Sequence, residues 1–328
     1  MKKTNFWKKI PGLAWGILAI ILIFIFFADG FILPRNLINI LGNTSVLLIA
    51  SVGMTFSILS QQIDISIGGV MSVSGLAAAM FIKNIEEPSA GQVFLAFLIA
   101  ALIGLAFGLF NGWMIGILKY NYWLVTFATM SIGYGMAEVI NNGNVVSGLS
   151  KSFRNVADGK FLGIGTVVYV AAAVILIMCW LLYKTRFGMH IYAVGDSEKC
   201  AENSGIHVSR TRLIIYSLSG LLAGFAGALL AAKTNSAGPI GAEGYEWNAI
   251  AATIIGGTSF AGGKGGLGGT VVGALIMTVI INGLQLLGLS NYWQQVFKGL
   301  FILVIIAVNV LGDRKRSIAA QRRVYKHG

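Results

Sequence analysis

From Ile254 to Thr270 the chain reads IIGGTSFAGGKGGLGGT, four Gly-Gly pairs around one lysine. Such a composition cradles phosphate when backbone N–H groups and a helix N-terminus face the anion. Counting tests the two nucleotide signatures. A G-x-x-x-x-G-K-[ST] loop built on Lys264 needs glycine at 258 and Ser or Thr at 265, where the chain has Thr258 and Gly265. The letters G-x-G-x-x-G do occur, at Gly263, Gly265 and Gly268. That fingerprint also needs a βαβ unit and an acid about 20 residues further on, and no acid lies between Glu246 and Asp313. The run is not a nucleotide site. In an apolar chain glycine lets helices approach closely and permits backbone breaks. Gly256, Gly257, Gly262 and Gly263 are therefore assigned to a break. Gly265, Gly269 and Gly273, four apart, are assigned to a packing stripe on the following helix.

Few other side chains offer chemistry. The histidines (His190, His207, His327) fall outside the apolar runs and form no metal-ligand spacing or nucleophilic triad. Cys179 and Cys200 imply no disulfide framework. The segment ILSQQIDISIGG carries Gln61, Gln62, Asp64 and Ser66 between two apolar stretches. An intramembrane carboxylate is a functional candidate, and Asp64 equally suits the N-cap of the helix after it. Asn111 and Asn282 either hydrogen-bond between helices or face a polar cavity. Lys298 lies about 12 Å along a helix from its outer end, so it either snorkels outward or faces a pathway or dimer interface. All seven are candidates for a translocation path.

These residues need a scaffold, and composition defines it. Of 328 residues, 56% are hydrophobic and only 11% charged, with mean hydropathy +0.79. A soluble domain carries about 25% charged residues; this chain is expected to be an all-α polytopic membrane protein. The clearest apolar runs cover Gly12–Ala28, Val93–Leu118, Trp123–Val139, Val167–Tyr183, Leu213–Ala232, Thr270–Leu289 and Gly299–Leu311, with further apolar stretches at Ser45–Ser60, Ile63–Ile82 and Trp247–Phe260. That makes about ten crossings, two of them short or broken. No small-residue cleavage site follows the first run, so a retained anchor is expected. The net charge of +12 follows the positive-inside pattern once residues 1–11, 184–212 and 312–328 are cytoplasmic, and nucleic acid is not an expected partner.

Parity supports the count. The basic segments 184–212 and 312–328 share a side only if Trp247–Phe260 crosses as well. Each short segment is followed by a polar or glycine-rich break and then a small-residue helix, a parallel internal repeat of the kind that marks a transport path. Within 184–212, GDSEKCAENSGI is expected to form a short helix framed by Gly195 and Gly205, with Asp196 or Ser197 as N-cap, Glu198 in the first turn and Ala201 within it. A soluble partner could dock there.

Five stretches then resemble one family: GMTFSILSQQIDISIGG, NGWMIGIL, YAVGDSEKCAENSGI, the long run from Tyr216 to Gly266, and SNYWQQVFKGLFIL. Together they resemble the ribose-type sugar permeases of ATP-binding-cassette importers. The resemblance covers nearly the whole chain and implies one permease domain over residues 1–328 with the type II-like importer fold. It also implies pairing with a second permease copy or paralogue, two cytoplasmic ATP-binding subunits or one duplicated ATPase, and an extracytoplasmic sugar-binding protein. The segment Gly195–Gly205 matches where such permeases present the coupling helix to the ATPase. ATP would be bound by the partner, with no cofactor or metal in this chain, in a bacterial plasma membrane with both termini cytoplasmic. Two departures stand out. Gln61-Gln62 replace a Gly-Gly pair, which leaves the sugar open, and Asn121-Tyr122-Trp123 replace a proline-containing turn. The function implied is import of a monosaccharide or related small polyol. The alternatives are the same machine for another small solute (a branched-chain amino acid, nucleoside or signalling furanone), a secondary transporter, or a purely structural membrane protein.

Overall fold

The computed structural model describes residues 21–290, 292–297, 299, 300, 303, 304 and 307. Lys298, residues 1–11 and residues 312–328 lie outside the described residues, as does most of the first and last apolar runs. Six described helices are long and apolar enough to cross a membrane. Helix α1 spans Pro34–Leu59, α3 Ala90–Gly112, α4 Tyr122–Ile140, α6 Thr166–Lys184, α9 Val208–Thr234 and α11 Leu267–Leu286. Between them lie α2 (Ile67–Lys83), α5 (Lys151–Asp158), α7 (Arg186–Asp196), α8 (Glu198–Asn203) and α10 (Tyr245–Ile255). Two minimal antiparallel ladders join β1 (Val146–Ser147) to β4 (Ser236–Ala237), and β2 (Lys160–Phe161) to β3 (Ile164–Gly165).

Local sequence accounts for the ends. Pro34 occupies the first position of α1, where its missing N–H costs nothing. Ser89 and Gln92 form a capping box at α3. Asn121 accepts from Trp123 N at 2.9 Å and so caps α4. The departure from the proline turn therefore has a local role: a side-chain cap starts the helix. Helix α3 continues through a π-turn at Trp113–Ile117, the kind of insertion that shifts a helix face by one residue. Hydroxyls inside the spans bond back to their own helices, as in Ser51 to Leu47 O at 2.7 Å and Thr55 to Ser51 O at 2.7 Å, which satisfies them without water.

Two compact units form. The first combines the described parts of Met1–Ile40 and Ile276–Gly328. Its core clusters Phe24, Ala28, Phe31, Ile40, Ile280 and Leu284, and Asn36 and Asn282 exchange reciprocal amide bonds at 2.9 Å. The second unit is Leu41–Leu275. There α2 is buried along almost its whole length, including its serines and glycines, as expected of a helix that is small and apolar all round. Helices α3, α4 and α6 instead keep most of their apolar surface exposed, the surface a bilayer would cover. Helices α3 and α9 touch through glycine: a methyl on Gly104 would strike Gly220 O, and one on Gly108 would strike Tyr216 O. Backbone meets backbone there, the close approach that small residues allow in a membrane.

Three expectations are corrected. The crossing placed at Ser45–Ser60 is the second part of a longer helix beginning at Pro34. The segment 184–212 is largely helical: α7 and α8 fill it, and α9 begins inside it at Val208. Gly265 is not on the helix after the break, because α11 starts at Leu267 and Gly265 has φ +131°.

Candidate functional site

The interruption between α1 and α2 covers Ser60–Ser66. Gln61 turns the chain with φ +62°, a left-handed conformation that costs a non-glycine residue about 1–2 kcal/mol. Its side chain donates from Nε2 to Ala261 O at 2.7 Å. Gln62 is buried, and its Oε1 has no partner among the described residues. Asp64 is fully buried. Its Oδ1 accepts from Ser66 N at 3.1 Å and from the Ser66 hydroxyl, and its Oδ2 accepts from the Ser219 hydroxyl at 2.7 Å. Asn111 Nδ2 donates to Ser66 Oγ at 3.0 Å, which joins α3 to the same cluster. Asp64 is therefore not the N-cap residue; Ser66 holds that position, without a side-chain cap bond, and Asp64 closes a turn two residues earlier. Every one of its hydrogen bonds comes from a donor, so the buried carboxyl oxygens are satisfied without water.

The interruption between α10 and α11 covers Gly256–Gly266 and uses backbone instead. At 11 residues, α10 is about 16 Å long, too short to span alone. Gly257 and Gly263 take φ +87° and +65°, the region glycine enters without strain. Ser259 N donates to Lys264 O at 2.9 Å and Gly262 N to Ser259 O at 3.0 Å, so the loop bonds mostly to itself. Gly269 packs on Gly256 so closely that a methyl group would overlap the Gly256 carbonyl. Thr55 bridges Thr270 at 2.7 Å and Thr253 at 3.3 Å, tying α1 to both helices of this second segment.

The two interruptions meet. Gly263 N donates to Leu59 O at 2.9 Å beside the Gln61–Ala261 bond. The end of α7 sits directly on that junction. A Cβ at Gly195 would overlap Leu59 O and lie 2.7 Å from Gly263 N, and one at Gly263 would lie 3.1 Å from Asp196 N. Gly195 is therefore not the start of the docking helix, as expected from sequence, but a buried residue in the last turn of α7. Asp196 ends α7, and Ser197 caps α8 by accepting from Cys200 N at 3.3 Å. Ala201 is buried with Val194 and Val208. Gly205, at φ +80°, turns the chain toward α9.

Glu198 is not free. Arg212 donates to both its carboxylate oxygens, at 2.8 and 2.7 Å, and Lys119 lies 3.7 Å away. The forked bond to Arg212 holds the Glu198 carboxyl below the usual range.

Of the sequence-picked residues, the structure brings together Gln61, Asp64, Ser66, Asn111, Gly195, Asp196, Gly262 and Gly263. Asn282 bonds Asn36 within the other unit. Sequence reasoning missed Ser219, Tyr216 and Arg212 on α9, whose 4- and 3-residue spacing was a signal in plain sight. It also did not pick out Glu246. Glu246 is 3% exposed, accepts from Gly244 N at 3.2 Å, and lies against Gly68 and the Tyr134 hydroxyl.

An all-α polytopic membrane protein with two interrupted apolar segments that meet at their breaks is an architecture that suits a transport permease. The chain belongs to the family described as branched-chain amino acid transport system / permease component, which matches residues 36–306. It is 38% identical over 305 residues to the ribose import permease protein RbsC of Bacillus subtilis, covering 92% of each chain. It is 34% identical to the galactose/methyl galactoside import permease protein MglC of Salmonella typhimurium, covering 95% of this chain and 97% of that one. The D-allose transport system permease protein AlsC of Escherichia coli is 35% identical, covering 86% and 85%. No solved structure matches.

Proposed function

We propose that this chain is the membrane permease subunit of an ATP-driven importer of a monosaccharide or related polyol. The observation that carries this reading is the seating of the end of α7, which leads directly into α8, on the junction of both interruptions, with Gly195 against Leu59 and Gly263. A push on the cytoplasmic segment thus reaches both interruptions without an intermediary. Full-length similarity to permeases named for ribose, galactose and allose supports a sugar as cargo.

In this reading the chain makes ten crossings, with both termini and residues 184–212 in the cytoplasm of a bacterium. It works as one permease domain paired with a second copy or paralogue. Two ATP-binding subunits, or one duplicated ATPase, dock on α8, and an extracytoplasmic binding protein delivers the sugar. ATP is bound by those partners; this chain has no ATPase site and no cofactor of its own. Closure of the ATPases moves α7–α8, and the helices around Ser60–Ser66 and Gly256–Gly266 rock to open the path to alternate sides. The polar residues at the first interruption (Gln61, Gln62, Asp64, Ser66, Asn111) set which hydroxylated solute passes, with Lys298 a further lining residue.

Reconstitution tests this. In liposomes with the ATPase and binding protein, labelled ribose, galactose or allose is expected to accumulate only when ATP is present. Uptake by the permease alone would overturn the proposal in favour of a stand-alone carrier.

A further inference from the structure

Beyond the docking helix, one face of α9 ties the cytoplasmic segment to the membrane interruption. Arg212, Tyr216 and Ser219 are spaced four and three apart, so their side chains fall on one stripe of the helix. Each reaches a different neighbour. Arg212 grips both oxygens of Glu198 in α8. The buried Tyr216 hydroxyl donates to Ile63 O at 3.4 Å, and Ser219 donates to Asp64 Oδ2 at 2.7 Å. Seven residues of helix separate the ends of the stripe by about 10 Å.

The stripe is rigid sideways. Gly108, Gly112 and Gly116 of the α3 segment bring its backbone against Tyr216 O, Leu213 and Ser209 O, so α9 cannot bend there without moving α3. The element it ends on is softer. Gln62 N still donates to Ser57 O of α1 at 2.9 Å, and from Ile63 to Ile65 the chain lies outside both helices, with Asp64 held by the side chains of Ser66 and Ser219. A stiff rod ending on a side-chain-held turn transmits displacement to that turn.

We infer that Arg212 and Ser219 are positioning residues of the transport cycle, which carry movement of the docking helix along α9 to Asp64 and so couple ATP-driven closure to opening of the first interruption. This rests on the permease reading above. It adds a second route beside the direct Gly195 contact, one that acts on Asp64 from the opposite helix.

The test uses the complete transporter in liposomes and measures labelled sugar moved per ATP hydrolysed. Wild type that moves none of ribose, galactose or allose with ATP removes the permease reading itself; a working wild type leaves the α9 route to be judged by its variants. Ser219→Ala is expected to lower sugar moved per ATP about tenfold while hydrolysis continues. Arg212→Gln should do the same, Arg212→Lys less because one charge-assisted bond remains. The double variant Arg212→Gln/Ser219→Ala should be no worse than the worse single one, since both cut one route. A wild-type ratio in Ser219→Ala, or losses that multiply in the double variant, would overturn the inference. If Ser219→Ala does not assemble, the order Gln below Lys below Arg at position 212 decides, and equal ratios at all three refute it.

Discussion

The interruption at Ser60–Ser66 and the one at Gly256–Gly266 occupy matching places in two halves of the chain, yet they solve the same problem with different materials. A helix broken in an apolar setting frees backbone N–H and C=O groups that have no water to bond. The first interruption is centred on a buried side-chain cluster, in which Asp64 accepts from Ser66 N and from the hydroxyls of Ser66 and Ser219 and Asn111 joins through Ser66, while the N–H groups of Ser60, Gln61 and Gln62 donate to α1 carbonyls. The second is centred on glycine turns and carbonyl-to-glycine packing, with Gln61, Tyr192 and Ser259 side chains bonding its backbone. A side-chain-held turn can exchange partners, whereas a glycine turn packed on backbone has nowhere to go.

Substitutions can break that contrast. The largest effect is expected from Gly269→Leu, whose side chain would enter space held by the Gly256 carbonyl. Overpacking against backbone should cost at least about 3 kcal/mol, seen as loss of monodisperse protein in detergent. A wild-type yield would show the second interruption to be as yielding as the first. Asp64→Ala comes next: it strands the donors of Ser66 and Ser219, at about 2 kcal/mol. Asp64→Asn should recover part of that loss in thermal unfolding, because one oxygen remains to accept. Equal melting points for the two would mean that the carboxylate's hydrogen bonds do not hold the turn.

Gln61 sharpens the comparison at smaller scale. Gln61→Ala loses the bond to Ala261 O while keeping the left-handed backbone, and should cost about 1 kcal/mol. Gln61→Gly loses the same bond but relieves backbone strain of similar size, so it should melt near wild type. If both variants were equally destabilised, the left-handed turn would not be a source of strain. The smallest effect concerns pH. Glu198 has its folded carboxyl depressed by Arg212, so the pair's contribution is present above the ordinary value of 4.5 and disappears as pH falls through the lower folded value. Glu198→Gln should therefore melt below wild type at pH 7, and the gap should close once pH has fallen below the depressed folded value. A gap that persists into acid would place the effect in packing.

Much of this molecule was legible as sequence, and the misses have physical causes. Apolar run length located α3, α4, α6, α9 and α11 to within a few residues, because spanning a bilayer demands length and little else. It shortened α1, since Gly42, Asn43 and Thr44 interrupt the hydrophobic count although the helix runs through them. It left α7 as loop because an interfacial helix need not be apolar. Gly195 looked like a helix boundary. Its requirement for glycine comes from Leu59 O, 136 positions away in the chain, and no local pattern carries that.

The sequence alone determined that the chain is a polytopic membrane protein, that apolar segments are interrupted near residues 61–64 and 256–266, and that its glycine run lacks the spacing of both nucleotide motifs. Hydropathy and motif spacing are one-dimensional and sufficient for those conclusions. Only the tertiary structure decided what the breaks are for. It brought Leu59 to Gly263, set Gly195 on their junction, turned Glu246 inward and lined up Arg212, Tyr216 and Ser219 toward Glu198, Ile63 and Asp64. Those contacts join residues distant in sequence, and they exist because buried polar groups must find partners wherever the packed helices present them.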